Sequence, residues 1–479
     1  SLLEADIPAE QSEGQDSYRG ARLGGETRAE KETMKKLFGT DGMRAVAGEY
    51  PLDPSTVASL GWALVKLLGE EGLEPRILVG RDTRESGPWI EKALFQGIDS
   101  GGGDVISAGI VPTSAVSYLT KKHRYAAGIV ISASHNPYRD NGIKIFSSQG
   151  IKIPDGWELR LERILLNRKH KIREKRLRVV PQPALAEEYE DFLRRQIDRL
   201  PPAKEMTIVL DCSNGASCAV APLVFFHLGF KVIPIFNIPD GKNINRKCGS
   251  LHPEGLARMV INARADLGVA YDGDADRAIW VDEKGRVHNG DHTLFVQSRF
   301  MKTNRTLKSN AVVATTMSNM GLEKALREMG LELVRTRVGD KYVLEKMIDL
   351  GANLGGERSG HTIFLDDCPT GDGILTSLKM LKVMLLSGAP FSELVKGLKE
   401  FPQILQNVWV REKIDFREFP EIIQVIEEVK AQLAGVGRLD VRYSGTESLA
   451  RVMVEGEDKT QIEELARKTT DVIAKYLGE

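Results

Sequence analysis

The stretch GIVISASHNPYRDNGIKIF (128–146) starts as an apolar strand, breaks into a polar corner and returns as a second apolar run. Asn136-Pro137 ends the first run, because proline has no N–H for a ladder and bars the helical region to the residue before it. Asp140-Asn141-Gly142 reads as a hairpin-type turn ahead of IKIF. The pattern predicts an exposed Ser134 at a strand tip, His135 beside it and Lys144 on the returning strand. Ser134 taken alone reads equally as a turn or N-cap serine. Ser132 competes with it as a nucleophile, and no G-x-S-x-G elbow supports a serine hydrolase.

The same unit recurs outward from this stretch. Strand-like runs RILVG (76–80), TIVLD (207–211), DLGVAY (266–271) and AVVATT (311–316) alternate with helical segments such as PSTVASLGWALVKLLGE (54–70) and GLEKALREMG (321–330). Strands alternating with helices predict parallel α/β sheets covered on both faces, with ligand loops at the carboxyl edge. Breaks in the pattern divide the chain into α/β units over 34–180, 181–286 and 287–400, then a smaller α+β unit over 401–479. Residues 1–33 are polar, acidic and aperiodic, and read as a disordered extension.

Lys and Arg number 66 against 67 Asp and Glu, a net charge of −1 that argues against a general nucleic-acid binder. The basic stretch 163–178 reads as a solvated face or linker rather than a nucleic-acid patch. Cys212, Cys218, Cys248 and Cys368 form no C-x-x-C pair and fit a reducing cytosol. No apolar run reaches the roughly 18 residues that span a membrane, and the N-terminal segment has no secretory pattern.

Four further loops carry chemistry. YDGDADRAIWVDEKG (271–285) alternates Asp272, Asp274 and Asp276, which an extended loop can turn onto one hard cation. It is not an EF-hand, because Arg277 stands where the sharp turn needs glycine and the flanks read as strands. LGGERSGHTIF (354–364) offers Glu357, Ser359 and His361 as hydrogen-bonding groups for sugar hydroxyls, or as a plain polar turn. RYSGTESLAR (442–451) offers Arg442, Ser444, the Gly445 and Thr446 backbone and Arg451 as a phosphate nest, or an ordinary turn between strand and helix. FGTDGMR (38–44) brings Arg44 after a tight polar turn.

SASHNP with NGIK, DGDADR, GE-x-SGH and SGTE, in this order, resemble the α-D-phosphohexomutase family over residues 35–479. FGTDGMR, TTMSNMGLE, RVGDKYV, GGERSGH, TGDGI and RYSGTES are most similar in wording to its bacterial amino-sugar branch. Arg358 departs from that branch, which commonly has Gln there. So do Lys341, where Arg is usual, and Ser448, where Pro is usual.

The resemblance implies three similar mixed-sheet α/β domains plus a smaller C-terminal α+β domain around a central cleft. It makes Ser134 the phosphoserine, with Ser134, Asp272, Asp274 and Asp276 holding one Mg²⁺. Arg277 would balance charge on the transferring group, Arg44 would support the phosphoserine loop, and Lys144 or His135 would handle the hydroxyl proton. The implied activity is an intramolecular phosphotransfer between glucosamine 6-phosphate and glucosamine 1-phosphate. It would run through a sugar 1,6-bisphosphate, in a cytoplasmic enzyme feeding cell-wall precursor synthesis. Sugar phosphates are the implied partners, with no nucleic acid or membrane, and a homodimer is allowed. Three rivals stand beside it: the hexose branch of the same family, a non-catalytic sugar-phosphate binder and a metal-dependent phosphatase.

Overall fold

The computed structural model describes residues 37–167, 179–197, 206–444 and 448–478, without Thr40 and with Ile172. The expectation for residues 1–33 and most of the basic stretch therefore lie outside the described residues, as do Gly445 and Thr446.

The first sheet has six strands: β1 (Met43–Val46), β2 (Arg76–Arg81), β3 (Asp104–Ile110), β4 (Ala127–Ile131), β5 (Asp140–Ser147) and β6 (Val180–Pro181). Their order is β1-β5-β4-β2-β3-β6. The second sheet, ordered β11-β10-β9-β7-β8, is built from β7 (Thr207–Asp211), β8 (Lys231–Ile235), β9 (Leu267–Tyr271), β10 (Ala278–Asp282) and β11 (Val287–His288). The third, ordered β13-β12-β14-β15, uses β12 (Ala311–Thr315), β13 (Glu332–Thr336), β14 (Leu354–Gly356) and β15 (Thr362–Phe364). The fourth is an antiparallel sheet of β16 (Gln403–Trp409), β18 (Leu449–Gly456) and β17 (Gly437–Tyr443), in that spatial order.

One plan repeats in the first three sheets. A central strand (β2, β7 or β12) pairs parallel with a neighbour on each side, and the helices cross between these strands. One neighbour (β4, β9 or β14) then turns straight back into an antiparallel strand (β5, β10 or β15) without a helix. Those helix-free turns are the SASHNP, DGDADR and GERSGH loops, and β17 and β18 flank the SGTES segment in sequence. A hairpin turn holds its side chains between two paired strands, which suits groups that must stay in register.

The helices form where the sequence periodicity predicts them. The helix Pro54–Glu70 opens on Asp53, whose carboxylate accepts from Ser55 and Thr56 N–H, with proline at its first position. It buries Val57, Leu60, Leu64 and Leu67 against the helix Gly87–Gly101. One apolar cluster runs through the first three sheets by way of Tyr189, Trp280 and Leu378, and a second packs the helices Pro54–Glu70 and Gly87–Gly101 on the first sheet. The fourth sheet and its helices, Pro420–Gln432 and Lys459–Leu477, have a separate core.

Two local expectations are corrected. Asp140-Asn141-Gly142 is not a turn but the start of β5, paired with Val46, Ala45 and Arg44 of β1. Asn141 accepts from the Gly142 N–H, and a Cβ on Gly142 would sit 2.6 Å from the Ser132 carbonyl, so the glycine serves close strand approach. The second sheet also runs past residue 286, because Val287 and His288 pair with β10.

Candidate active site

Ser134 is not exposed. It is 1% accessible, with φ of 52°, and its hydroxyl donates to Asp272 Oδ2 at 2.6 Å. His135 Nδ1 lies 3.4 Å from Ser134 Oγ. Burial, then the Arg277 and Arg44 cations, push the His135 imidazole down to about 4. The Ser132 hydroxyl is spent elsewhere: it donates to Asp82 and accepts the Ser134 N–H.

Asp272, Asp274 and Asp276 each place an oxygen within 4.8 Å of the others, all three buried. Asp274 Oδ2 accepts from Thr113 Oγ1 at 2.7 Å and from Lys144 Nζ at 2.9 Å, while its Oδ1 has no hydrogen-bond partner. Asp276 Oδ2 faces Lys144 at 3.4 Å and His361 Nδ1 at 3.6 Å, and its Oδ1 is likewise orphaned. Burial and the two neighbouring carboxylates drive the Asp272 carboxyl well above its usual range. Orphaned buried oxygens on crowded carboxylates are what a hard divalent cation satisfies, so these residues fit Mg²⁺.

Burial would lower the Lys144 ammonium, but Asp274, Asp41 and Asp276 outweigh it and hold it well above its usual value. Lys144 is thus a clamped cation, the opposite of a poised base. Asp41 ties Lys144 to Arg44 and Lys152, and Lys152 continues to Asp340 of the third domain at 2.7 Å. Arg44 meets the Asp41 carboxylate that also holds Lys144, and so joins the charge network around Asp274 and Asp276. Arg277 Nε is buried, lacks a hydrogen-bond partner and sits 3.8 Å from Asp276 and 3.9 Å from Asp272.

In the third loop, Glu357 accepts from the Gly339 N–H and from Ser359 Oγ, each at 3.1 Å. His361 does not present a free edge to a sugar. Its side chain is 4% exposed, Nδ1 faces Asp276 and Nε2 accepts from the Gly371 N–H at 3.0 Å. Burial opposes protonation, yet Asp276, Asp340 and Glu357 pull the ring up to about 9. A second proton would have to sit on Nε2, where the Gly371 N–H already points, so the geometry decides for neutral Nδ1–H. His361 supports the metal loop, and a one-residue bridge between Arg277 and His361 joins the two loops.

In the fourth domain Arg442 and Arg451 are direct cross-strand partners. Arg442 Nε reaches Asp440 at 3.2 Å, Arg451 reaches Ser444 Oγ at 3.3 Å, and Lys413 donates to the Ser444 carbonyl at 2.8 Å. Burial and the Arg451 charge lower the Arg442 guanidinium. The sheet docks on the third domain through Arg438, which pairs with buried Glu455 at 2.6 Å and donates to the Thr316 and Ser318 carbonyls.

Four family profiles cover this arrangement. They are described as phosphoglucomutase/phosphomannomutase alpha/beta/alpha domain I (residues 35–171), domain II (187–285), domain III (289–401) and C-terminal domain (405–472). The chain belongs to the phosphoglucomutase/phosphomannomutase family. Among its relatives, the phosphoglucosamine mutase of Koribacter versatilis (strain Ellin345) is 46% identical over 454 residues, covering 93% of this chain and 98% of the relative. That of Solibacter usitatus (strain Ellin6076) is 46% identical over 450 residues, covering 93% and 100%. A solved family protein from Burkholderia thailandensis shares the fold at a TM-score of 0.76 and 23% identity, over 93% of this chain and 97% of that one. An Aspergillus fumigatus N-acetylphosphoglucosamine mutase, solved with GlcNAc-6P and magnesium, does so at 0.64 and 16%, over 92% and 96%.

This phosphohexomutase brings Ser134, His135, Lys144, the three aspartates, Arg277, Glu357 and Ser359 into one neighbourhood. Arg358 turns away to Glu400 at 3.1 Å and Asp291 at 3.8 Å, and Lys341 pairs with Asp155. The sequence motifs do not single out Asp41, Asp82, Arg84, Thr113 or Asn245. GRDTR directly after β2 was the available signal for Asp82 and Arg84, because paired charges closing an apolar strand are rarely idle. Among the described residues no helix is long and apolar enough to cross a membrane.

Proposed function

We propose that this phosphohexomutase interconverts glucosamine 6-phosphate and glucosamine 1-phosphate through phospho-Ser134 and a glucosamine 1,6-bisphosphate. We place it in the cytoplasm, where its product feeds amino-sugar nucleotides and cell-wall precursors. The observation that carries the chemistry is the 2.6 Å contact of Ser134 with Asp272 inside the three-aspartate cluster. The choice of sugar is supported by curated relatives named phosphoglucosamine mutase at 44–46% identity.

Asp272, Asp274, Asp276 and a phosphoryl oxygen on Ser134 would hold Mg²⁺, which when bound offsets the three carboxylates and the phosphate's charge of about −1.5 to −2. In the first transfer the Ser134 Oγ–P bond breaks, a bond from phosphorus to the free sugar oxygen forms, and the sugar hydroxyl's proton ends on Ser134 Oγ, which leaves as a hydroxyl. In the second, the other sugar O–P bond of the turned bisphosphate breaks as Ser134 Oγ bonds to that phosphorus, and the serine proton returns to the freed sugar oxygen. Arg277, with its unpartnered Nε, suits the charge on the transferring group. Glu357 and Ser359 face the sugar, and Arg442, Ser444, Gly445, Thr446 and Arg451 hold the distant phosphate. A sugar 1,6-bisphosphate loads Ser134 at the start.

The test is kcat/KM for glucosamine, glucose and mannose phosphates at equal bisphosphate and Mg²⁺. An ammonium at C2 gains a charge-assisted hydrogen bond, so glucosamine should lead by about ten- to a hundredfold. If a neutral hexose matches it, the sugar assignment falls and the mutase chemistry stands.

A further inference from the structure

The left-handed backbone of Ser134 is one that a residue with a side chain keeps only when its surroundings impose it. Arg84 supplies most of that constraint. It is wholly buried, and all five of its N–H groups have acceptors. Nε donates to Asp82 at 2.9 Å. One terminal nitrogen donates to the Pro137 and Asp140 carbonyls, the other to those of Ser134 and Asn136, both at 2.9 Å. Asp82 accepts from Ser132 Oγ at 2.7 Å, and Ser132 Oγ accepts the Ser134 N–H at 2.9 Å. From the second domain, Asn245 Nδ2 donates to the Ser134 and Asn136 carbonyls at 2.9 and 3.1 Å.

We propose that Arg84, Asp82, Ser132 and Asn245 form a positioning frame that fixes both backbone ends of Ser134 and aims its oxygen at the aspartate cluster through both phosphoryl transfers. The inference rests on the mutase reading, since it assigns these residues a part in that reaction. Arg84 has no donor left for a substrate, so its action passes through the loop. Lysine, with three donors from one point, cannot replace a planar five-donor fork spread over four carbonyls and a carboxylate. Ser132 has spent its only proton on Asp82, which removes it as a nucleophile and leaves it as the link between Asp82 and the Ser134 amide.

Asn245 gives the frame its second anchor. It belongs to the domain that carries the aspartates, so it fixes the serine relative to the metal loop across a domain boundary. The metal loop abuts the same carbonyl: a Cβ on Gly273 would lie 2.6 Å from the Ser134 oxygen. The charge on Ser134 changes by about two units with each transfer. A loop held only by its own turn would follow that change, whereas this one is held from two domains.

The test uses Ser132→Ala and Asn245→Ala in the full chain. Ser134 is loaded with radiolabelled phosphate, and single-turnover transfer to glucosamine 6-phosphate and, in parallel, glucose 6-phosphate is timed. KM, thermal stability and the phosphorylated peptide are measured alongside. Each variant should keep its phosphate on Ser134 and hold KM within about twofold, yet transfer about ten- to a hundredfold more slowly, the scale of ångström-level misplacement. Wild-type transfer rates in both variants overturn the frame. So does a loss that only follows the unfolded fraction, with the folded enzyme at the wild-type rate. Asn245 is half-buried, which keeps the test alive if Ser132→Ala does not fold. Transfer by wild type to glucose 6-phosphate alone sinks the glucosamine reading, and the frame is then judged on that sugar.

Discussion

Ser134 and Asp272 are 138 residues apart in sequence and joined by a 2.6 Å hydrogen bond. The acceptor is a carboxyl whose burial and two acidic neighbours raise its pKa well above normal, so the serine oxygen sits among groups that destabilise one another's negative charge. A phosphoryl group placed there requires a cation, and a cation there requires the serine end to be open to it. Ser134→Ala should abolish phosphorylation and turnover together. Peptide mass spectrometry and the mutase assay check this, and phosphate found on Ser132 would contradict it.

The orphaned Oδ1 atoms of Asp274 and Asp276 lead to a second expectation. Chelation should stop turnover and Mg²⁺ should restore it. The melting temperature should also rise with Mg²⁺, since a ligand at a hundred times its Kd stabilises by about 2.7 kcal/mol. Asp276→Asn should blunt that rise. Equal Mg²⁺ shifts in wild type and variant would contradict the assignment.

The sequence carried the loops well because each is a dense run of polar residues closing an apolar strand. It carried the strand pairing less well. The alternation of strands and helices points to parallel pairing, and of the antiparallel returns only β5 is legible in the residues, while DNG, a strong hairpin signal, is the start of β5 because Asp140, Asn141 and Gly142 pair with Val46, Ala45 and Arg44 of β1. His361 looked like a sugar ligand until Gly371 and Asp276 took both nitrogens. Asn245 stayed hidden because its side chain donates to the Ser134 and Asn136 carbonyls, which no residue type announces.

Arg358 sits in the sugar loop yet points to Glu400 and Asp291. Arg358→Gln should leave kcat/KM for glucosamine phosphates within about twofold, the usual range for a surface change. A marked change in sugar preference would show that the side chain swings inward.

His135, with its pKa pushed down to about 4, is neutral across the working range. Protonation is lost as pH rises through about 4, so His135 adds no ionisation between pH 5.5 and 7.5, where a free histidine titrates around 6.5. His135→Asn should therefore share the acid limb of the wild-type kcat/KM profile. Loss of a limb near 6.5 in the variant would place a charged His135 in the mechanism.

Arg442 and Arg451 stand opposite each other on adjacent strands, a like-charge pairing that costs stability unless an anion lies between them. Asp440 neutralises part of that charge through Arg442, and the Lys413 ammonium at the Ser444 carbonyl adds more positive charge nearby. Arg442 is also partly desolvated, which weakens its charged form and strengthens any contact it makes with an anion. A sugar phosphate would thus be gripped at the end remote from the aspartates. Arg442→Ala should raise KM more than it lowers kcat, with kcat/KM down about ten- to a hundredfold for one lost charge-assisted bond. The same change should abolish most of the stabilisation that inorganic phosphate gives the wild type. Unchanged KM together with unchanged phosphate stabilisation would mean that the distant phosphate is held elsewhere.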